Sequence, residues 1–247
     1  MLYIELAIVL ALILINGLLA LAELAIVSSR RVRLQALVDR EVTGSRRALA
    51  LATDPGWFTL QNSNMIGRLD PKTGEVKLVT APTPKSRPYG IQVNSKGVPF
   101  TVLFGTNKVA SVDPKTMAIK EYTLPDAGAR PRRLAFTSDD VIWYTDNVRG
   151  YLGRLDPATG QAKEWLSPGG PKSEPYGVSV IKDIVWYSES GTTPNTVVRF
   201  DPKTEKFQTW VIPGGGNIVR NTDVTRDGNF VLANSLVNAV TLVEIDK

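Results

Sequence analysis

The stretch WYTDNVRGYLGRLDPATG, residues 143–160, decides the fold of this chain. It combines an aromatic strand, a short turn, a second strand that ends in Gly-Arg-Leu-Asp, and a Pro-Ala-Thr-Gly turn. Two of its features recur along the sequence. The Asp-Pro-x-Thr turn begins at steps of 43, 43 and 45 residues, at Asp70, Asp113, Asp156 and Asp201. The aromatic strand recurs at steps of 43, 43, 43 and 44 residues, at Trp57, Phe100, Trp143, Trp186 and Phe230.

A repeat of this length built from short strands is typical of β-propeller blades. Each complete unit predicts four antiparallel strands, of which the first follows a proline and the second is aromatic. The first unit lacks its first strand and the last unit lacks its fourth. We therefore expect 18 strands in five sheets, with three, four, four, four and three strands in chain order. The sequence therefore predicts an all-β partial propeller of about four to five blades over residues 57–247. Its open end sheets predict self-association.

The Asp-Pro-x-Thr turns favour a structural role over metal binding. An aspartate at this position can accept hydrogen bonds from backbone N–H groups two residues on, and the proline presets φ. The turn occurs four times, once in each of four successive blades, which indicates a structural role in every blade.

The composition excludes several kinds of chemistry. The chain has no cysteine and no histidine, so thiolate sites, cysteine nucleophiles and every histidine-dependent triad are absent. Any reaction must use carboxylates, tyrosines, basic side chains or hydroxyls. The net charge of +5 is not concentrated in a basic block within the repeats, so no nucleic-acid partner is expected.

The N-terminal part has a different character. Residues 2–27 are apolar apart from three polar side chains and are long enough for a transmembrane helix. Residues 28–53 predict a basic amphipathic helix at the membrane surface. We therefore expect a single-pass protein of the bacterial inner membrane, attached through residues 2–27. The arginines favour a cytoplasmic propeller, whereas an apolar N-terminal segment also suits an exported one, and the sequence leaves this open.

Four motifs of this segment carry a resemblance to a known family: Asn16-Gly17, Ala22-Glu23-Leu24-Ala25, Val27-Ser28-Ser29-Arg30-Arg31 and residues 48–55. They resemble the start of the transmembrane domain of the CorC/CNNM, hemolysin-like, ion transport family. The resemblance implies a common ancestry and a membrane anchor. Helical periodicity stops at Gly56, so we predict a boundary between a membrane domain of residues 1–56 and repeats of residues 57–247. The abrupt change without a linker indicates a fusion or an artificial join of two reading frames, and the sequence leaves this open.

The repeats carry a second resemblance, on WFTLQNSNMIGRLDPKTGEVK (residues 57–77), RPYGI (87–91), VIWYTDNVRGYLGRLDP (141–157) and EPYGV (174–178). These motifs resemble the streptogramin, or virginiamycin B, lyase family. The resemblance implies a seven-bladed propeller whose members open the ester ring of streptogramin B antibiotics by elimination. It also implies a histidine base, nearby glutamates and Mg²⁺ at the central channel.

The positions that correspond to the family's site define the candidate residues. Where relatives carry histidine after the proline of the first strand, this chain has Tyr89, Arg132, Tyr176 and Arg220. Carboxylates remain at Glu174 and, at the end of the aromatic strand, at Asp146 and Glu189. We assign catalytic roles to Glu174, Tyr176 and Glu189, ligand-binding roles to Tyr89, Arg132, Asp146 and Arg220, and no residue to a metal.

Three functions follow from these observations. The absence of histidine favours binding of a small molecule or a partner at the channel over catalysis. The first alternative is an active carbon–oxygen lyase that uses carboxylates and Mg²⁺. The second is a fragment of a CorC-type ion transporter fused to a propeller.

Overall fold

The computed structural model describes residues 33–41, 49 and 52–245. Residues 33–39 are helical, within the stretch for which the sequence predicts a basic helix. The predicted membrane segment, residues 2–27, lies outside the described residues. In the described part of the chain, no helix combines the length and the apolar character that crossing a membrane requires. Two compact units divide the chain: residues up to Gly56 together with Arg68–Val76, and Trp57–Gly67 together with the chain from Lys77 onward.

Within residues 52–245 the chain forms eighteen strands in five antiparallel sheets, with three, four, four, four and three strands in chain order, as the repeats predict. The five sheets are β1–β3, β4–β7, β8–β11, β12–β15 and β16–β18, here called the first to fifth sheets. A 3₁₀ turn at Pro213–Gly215 precedes the fifth sheet. The strands are β1 (Gly56–Leu60), β2 (Met65–Leu69), β3 (Val76–Thr80), β4 (Pro88–Val93), β5 (Pro99–Leu103), β6 (Lys108–Val112), β7 (Ile119–Thr123), β8 (Pro131–Phe136), β9 (Ile142–Asp146), β10 (Tyr151–Leu155), β11 (Ala162–Leu166), β12 (Pro175–Ile181), β13 (Ile184–Glu189), β14 (Thr196–Asp201), β15 (Lys206–Val211), β16 (Val219–Val224), β17 (Phe230–Asn234) and β18 (Ala239–Val243).

The core lies between neighbouring sheets. Strand β9 is buried along its whole length, whereas the outermost strand of the same sheet, β11, has only half-buried and exposed residues. Three apolar clusters fill the spaces between the second and third, third and fourth, and fourth and fifth sheets. Trp143 is 2% exposed and packs between the third and fourth sheets. Burying such a side chain stabilises the fold by about 1.5–3 kcal/mol.

A repeated hydrogen bond joins consecutive sheets near their inner strands. The hydroxyls of Thr59, Thr145 and Ser188, each on the second strand of its unit, donate to backbone carbonyls of the next inner strand. The acceptors are Tyr89 O at 2.9 Å, Tyr176 O at 2.7 Å and Val219 O at 3.1 Å. The inner strands β4, β8, β12 and β16 are neighbours in this order. This is the arrangement of blades in part of a β-propeller.

The structure confirms that the Asp-Pro-x-Thr turns are scaffold. The Asp113 carboxylate accepts hydrogen bonds from the N–H groups of Lys115 and Thr116, both at 2.8 Å. These backbone donors hold the pKa of Asp113 below its ordinary value. Asp156 makes the equivalent bond to the N–H of Ala158 at 2.9 Å. The aspartates satisfy backbone donors inside tight turns, which is the role that the sequence predicts.

Each inner strand contains one extra residue directly after its first residue. The register with the second strand shifts between Pro88 and Ile91, between Pro131 and Arg133, between Pro175 and Val178, and between Val219 and Asn221. A β-bulge of this kind bends the strand and redirects the side chains around it.

Candidate functional site

The four bulges lie at the positions where the sequence predicts ligand-binding and catalytic side chains. Tyr89, Arg132, Tyr176 and Arg220 each follow the first residue of their inner strand and belong to the bulge. Since the inner strands are neighbours, residues from sequence positions far apart meet at one end of the sheets. The four positions that the sequence aligns thus occupy the same place in four successive sheets.

The structure brings three of them into direct contact. The hydroxyl oxygens of Tyr89 and Tyr176 lie 2.7 Å apart. The Arg132 guanidinium lies over the Tyr176 ring at 4.3 Å from its centroid and over the Tyr89 ring at 5.3 Å. A cation within about 6 Å of an aromatic centroid is attracted by the negative face of the ring. Two phenols and a guanidinium therefore form one cluster, which we call the Arg–Tyr cluster.

The cluster includes two residues that the sequence analysis missed. The Arg133 guanidinium lies 4.7 Å from the centroid of the Tyr89 ring, and Phe104 lies under Arg132 at 4.7 Å. Strict alternation along a strand would place Arg132 and Arg133 on opposite faces, but the bulge between Pro131 and Arg133 directs both toward the same phenols. The signal in the sequence was the Arg-Arg pair directly after the proline.

Burial and charge separate the acidities of the two phenols. Burial raises the pKa of Tyr89, but the hydrogen bond with Tyr176 and the charges of Arg133 and Arg132 outweigh it and lower the pKa below the ordinary value. Burial and the hydrogen bond with Tyr89 raise the pKa of Tyr176, against a smaller opposite influence of Arg132. Tyr89 is therefore the phenol that ionises first, with the Tyr176 hydroxyl donating to its oxygen.

Arg132 retains an unused donor. One of its terminal nitrogens donates to the side-chain oxygen of Asn147 at 3.0 Å, but its buried Nε–H has no partner in the described part of the chain. Buried donors without acceptors are uncommon in folded proteins and call for an explanation. Here the group is free to donate to a bound molecule.

Arg220, the fourth bulge residue, lines a separate small cavity of about 150 Å³ next to the cluster. Its backbone carbonyl accepts a hydrogen bond from Arg133 Nε at 3.3 Å, and Arg133 also donates to the Asn221 side chain at 2.9 Å. Gly90 and Gly177 border the same cavity. A Cβ at Gly90 would come within 2.8 Å of the Arg132 carbonyl, so the close approach of the strands requires glycine there.

Asp146 is placed at the same end of the third sheet but is committed to an internal ion pair. Its side chain is fully buried, accepts from three backbone N–H groups and lies 2.7 Å from Arg149 Nε. Arg149 also contacts Glu164 at 2.7 Å and Asp126 at 2.9 Å. The structure therefore gives Asp146 a partner that the sequence analysis did not name, and its predicted ligand-binding role remains untested.

Glu189 occupies the same position in the fourth sheet and is 1% exposed. Its carboxylate accepts from the hydroxyls of Ser167 and Thr196 and from the N–H of Gly169. Ser167 is also hydrogen-bonded to the Tyr187 hydroxyl, at 2.6 Å. Burial raises the pKa of Tyr187, so that phenol stays protonated. Glu189 is thus enclosed by donors, and its predicted catalytic role remains a prediction.

The carboxylates do not fit the Mg²⁺ that the family resemblance implies. Mg²⁺ requires several oxygen ligands in octahedral geometry. Asp146 faces Arg149, the oxygens of Glu189 are used by protein donors, and Glu174 is exposed in the loop before β12. Within the described residues, no group of three acidic side chains could hold a metal ion. The guanidiniums of the Arg–Tyr cluster would repel a cation.

Comparisons with known proteins agree with the two resemblances found in the sequence. The profile of the virginiamycin B lyase family matches residues 41–241, and that of the cyclin M transmembrane N-terminal domain matches residues 7–66. The two matches overlap in residues 41–66. Among curated protein sequences, none matches this chain.

Solved structures show the same fold. A catalytically inactive virginiamycin B lyase from Staphylococcus aureus with quinupristin shares 24% identity, with a TM-score of 0.67 over 78% of this chain and 67% of that chain. A selenomethionine-substituted virginiamycin B lyase from Staphylococcus aureus shares 25% identity, with a TM-score of 0.65 over 77% of this chain and 66% of that chain. A streptogramin B lyase shares 23% identity, with a TM-score of 0.65 over 78% of this chain and 66% of that chain. The chain thus spans about two thirds of the length of these structures.

Proposed function

Because this chain belongs to the virginiamycin B lyase family, we propose that it binds an anionic group of a small molecule at its Arg–Tyr cluster. The observation that carries the proposal is the contact between two phenols, 2.7 Å apart, beneath the Arg132 guanidinium. Arg133 adds a second positive charge. Guanidiniums bind carboxylates and phosphates through paired hydrogen bonds, and the buried Nε–H of Arg132 is available for one of them.

The family and the aromatic surroundings suggest the rest of the ligand. Phe104 and the two tyrosine rings offer flat apolar surfaces beside the charges. We infer a ligand that combines an aromatic or apolar part with a carboxylate, an ester carbonyl or a phosphate. A streptogramin-type cyclic depsipeptide has ester and amide carbonyls next to aromatic groups, so quinupristin is the first probe.

The proposal is tested by isothermal titration of the full-length chain with quinupristin and with a simple aromatic carboxylate. Replacing Arg132 by Met removes a charge-assisted hydrogen bond and should weaken binding by roughly tenfold or more. Arg226→Met is the matched control, because Arg226 is exposed and has no side-chain partner in residues 52–245. Equal affinity of Arg132→Met and the parent chain would refute this site.

One observation favours a second candidate, carbon–oxygen lyase activity without metal or histidine. The pKa of Tyr89 is lowered by its hydrogen bond with Tyr176 and by the charges of Arg133 and Arg132, and its phenolate is the base of this mechanism. The phenolate would take the proton from the carbon that lies between a carbonyl of the substrate and the carbon bearing the ester oxygen, and the C–H electron pair would form an enolate facing Arg132. Collapse of the enolate forms a C=C bond, breaks the bond between the β carbon and the ester oxygen, and releases the carboxylate of that ester.

Mass spectrometry with chromatography distinguishes the outcomes. Elimination gives a linear product with the mass of the substrate, whereas hydrolysis adds one water. Tyr89→Phe should abolish elimination, and Tyr176→Phe should reduce it while leaving a base in place. Turnover that persists in Tyr89→Phe and disappears in Glu189→Gln would instead support the predicted carboxylate mechanism.

We also propose attachment to a membrane through residues 2–27. The match of residues 7–66 to the cyclin M transmembrane N-terminal domain supports it. After cell fractionation, the full-length chain should remain with membranes at alkaline pH, and a chain lacking residues 1–56 should not. Protease accessibility of the repeats in intact spheroplasts then identifies the side of the membrane. Recovery of the full-length chain in the soluble fraction would refute the anchor.

A further inference from the structure

A second and larger cavity lies at the other end of the third and fourth sheets. It has a volume of about 510 Å³ and is formed by the turns β8–β9, β12–β13 and β14–β15. The bulges and the Arg–Tyr cluster lie where β8 and β12 begin, so this cavity is at the opposite end of the same strands. Sites for small molecules commonly have volumes of about 300–1,000 Å³.

The acidic side chains at its rim already have partners. Asp183 accepts from the N–H and the hydroxyl of Ser138, at 2.7 and 2.8 Å. These hydrogen bonds, with a smaller contribution from the charge of Lys203, hold the pKa of Asp183 below its ordinary value. Asp139 accepts from the Thr137 hydroxyl at 2.6 Å and is likewise used within its own turn. Asp201, the third carboxylate of the lining, accepts from the N–H of Lys203 at 2.9 Å. The three carboxylates therefore fasten the turns.

The donors around the cavity are unused. The side chains of Arg154, Lys182 and Lys203 make no hydrogen bond and no ion pair with any residue in the described ranges, although all three line the cavity. Trp143 also lines it and is 2% exposed, and its buried indole N–H has no acceptor among the described residues. A buried indole N–H normally finds an acceptor. The lining thus combines one buried N–H without an acceptor and three cationic side chains without a hydrogen bond, of which Lys203 lies near Asp183 and Arg154 near Asp156.

The cavity also has an apolar wall. Val141, Ile184 and Pro202 line it beside the Trp143 ring. That ring is held in place by stacking on Trp165, with centroids 5.6 Å apart and planes inclined by 24°. Arg154 lies directly opposite Trp143 in the pairing of β9 and β10, so a positive charge and an aromatic surface are adjacent.

We propose that this cavity binds a small organic anion, with its carboxylate or phosphate on the unused donors and its apolar part against Trp143, Val141 and Ile184. Arg154 is the principal anchor, because it is half-buried on a strand, whereas Lys182 and Lys203 are exposed in turns. The proposal does not depend on the Arg–Tyr cluster, since no residue is common to the two.

The test is titration of the full-length chain, in detergent, with benzoate and phenyl phosphate. Control titrations with inorganic phosphate and with neutral benzyl alcohol measure how much the anionic group and the apolar ring each contribute to the affinity. The readout is the ¹H–¹⁵N signal of the Trp143 indole, assigned by its loss in Trp143→Phe. Benzoate or phenyl phosphate should shift that signal and bind more tightly than inorganic phosphate or benzyl alcohol. Tighter binding of benzoate indicates a carboxylate ligand, and tighter binding of phenyl phosphate indicates a phosphate ester.

Matched variants locate the binding. Arg154→Met should weaken the preferred probe roughly tenfold or more. Lys203→Met, at an exposed turn where folding is not at risk, should weaken it by a smaller factor. Lys172→Met removes the same charge from an exposed loop before β12, at the opposite end, and should leave the affinity unchanged. The proposal is overturned if neither organic anion moves the Trp143 signal at about 10 mM, beyond the range of weak specific binding. It is also overturned if all three variants bind equally.

Discussion

Removing the positive charge of Arg149 should destabilise the sheets strongly, because Arg149 is the only cation paired with Asp146 in the described part of the chain. The Asp146 side chain is fully buried, and that of Arg149 is 18% exposed. In Arg149→Met the apolar stem is kept, but the buried Asp146 and the largely buried Glu164 both lose their counter-ion. Breaking a buried ion pair on one side costs about 3–5 kcal/mol.

The cost is worked out from the other groups at the site. Three backbone N–H groups still donate to Asp146 in the variant, and the Tyr144 hydroxyl still donates to Glu164, so the lower end of the range, about 3 kcal/mol, is expected. For a folded region of this size that corresponds to a fall in Tm of about 6–12 °C. Thermal and urea denaturation of the full-length chain, followed by circular dichroism, measure both quantities.

Two further variants make the reasoning refutable. Asp126→Asn removes the half-exposed partner of Arg149 and should cost no more than about 1 kcal/mol. Asp146→Asn in the Arg149→Met background removes one of the two uncompensated charges, while that of Glu164 stays, and should recover part of the lost stability. If Arg149→Met unfolds within about 2 °C of the parent chain, the buried ion pair does not stabilise the fold as argued. Asp146 would then be available for the ligand-binding role that the sequence predicts.

Three other predictions follow from the described contacts. In a spectrophotometric titration, the first tyrosinate should appear below the ordinary tyrosine pKa, disappear in Tyr89→Phe and move to higher pH in Arg133→Met; an unchanged titration in Tyr89→Phe would contradict the assignment. Ser138→Ala should lower the free energy of unfolding by about 1 kcal/mol at neutral pH. Because the folded-state pKa of Asp183 is lowered, its stabilisation is present above the unfolded value of 3.8 and is lost as the pH falls through the folded-state pKa. The difference between Ser138→Ala and the parent should therefore vanish in acid, as it should for Ser95→Ala, which removes the equivalent partner of Asp140. Gly153→Ala would place a methyl group in the ring of Tyr144, which is fully buried, and should cost about 1–3 kcal/mol in urea denaturation; equal stability would show that the ring can move aside.

The sequence predicts the sheets well because their determinants are local and repeated. The Asp-Pro-x-Thr turns and the aromatic strands recur at blade period, and that spacing alone gives the eighteen strands of residues 52–245 and their division into five sheets. The turn chemistry of Asp113 and Asp156 is likewise local, since the carboxylate and its donors lie within three residues.

The candidate site is predicted less completely because it depends on contacts between sheets. The Tyr89 and Tyr176 hydroxyls meet across 87 residues, and no local pattern indicates their distance. Regular alternation along β8 would place Arg132 and Arg133 on opposite faces of the sheet. The bulge at Arg132 changes this, and it arises from the pairing of β8 with β9, which the sequence of β8 alone does not show. The commitment of Asp146 to Arg149 had a local signal, since the two are three residues apart in one turn.

The repeated bulge releases one position of each inner strand from strand pairing. The extra residue of each inner strand has no partner in the pairing with the second strand, so its side chain is not required for the register. A tyrosine can therefore stand there in β4 and β12 and an arginine in β8 and β16, while the surrounding backbone stays the same. The Tyr176 side chain is nevertheless buried, and Tyr89 packs against the apolar cluster between the second and third sheets. Such a position can change its chemistry by a single substitution without altering the pairing of the strands. Each of these four sheets therefore keeps its strand pairing while the residue type at one unpaired position differs from sheet to sheet. A different side chain at that position requires no new fold.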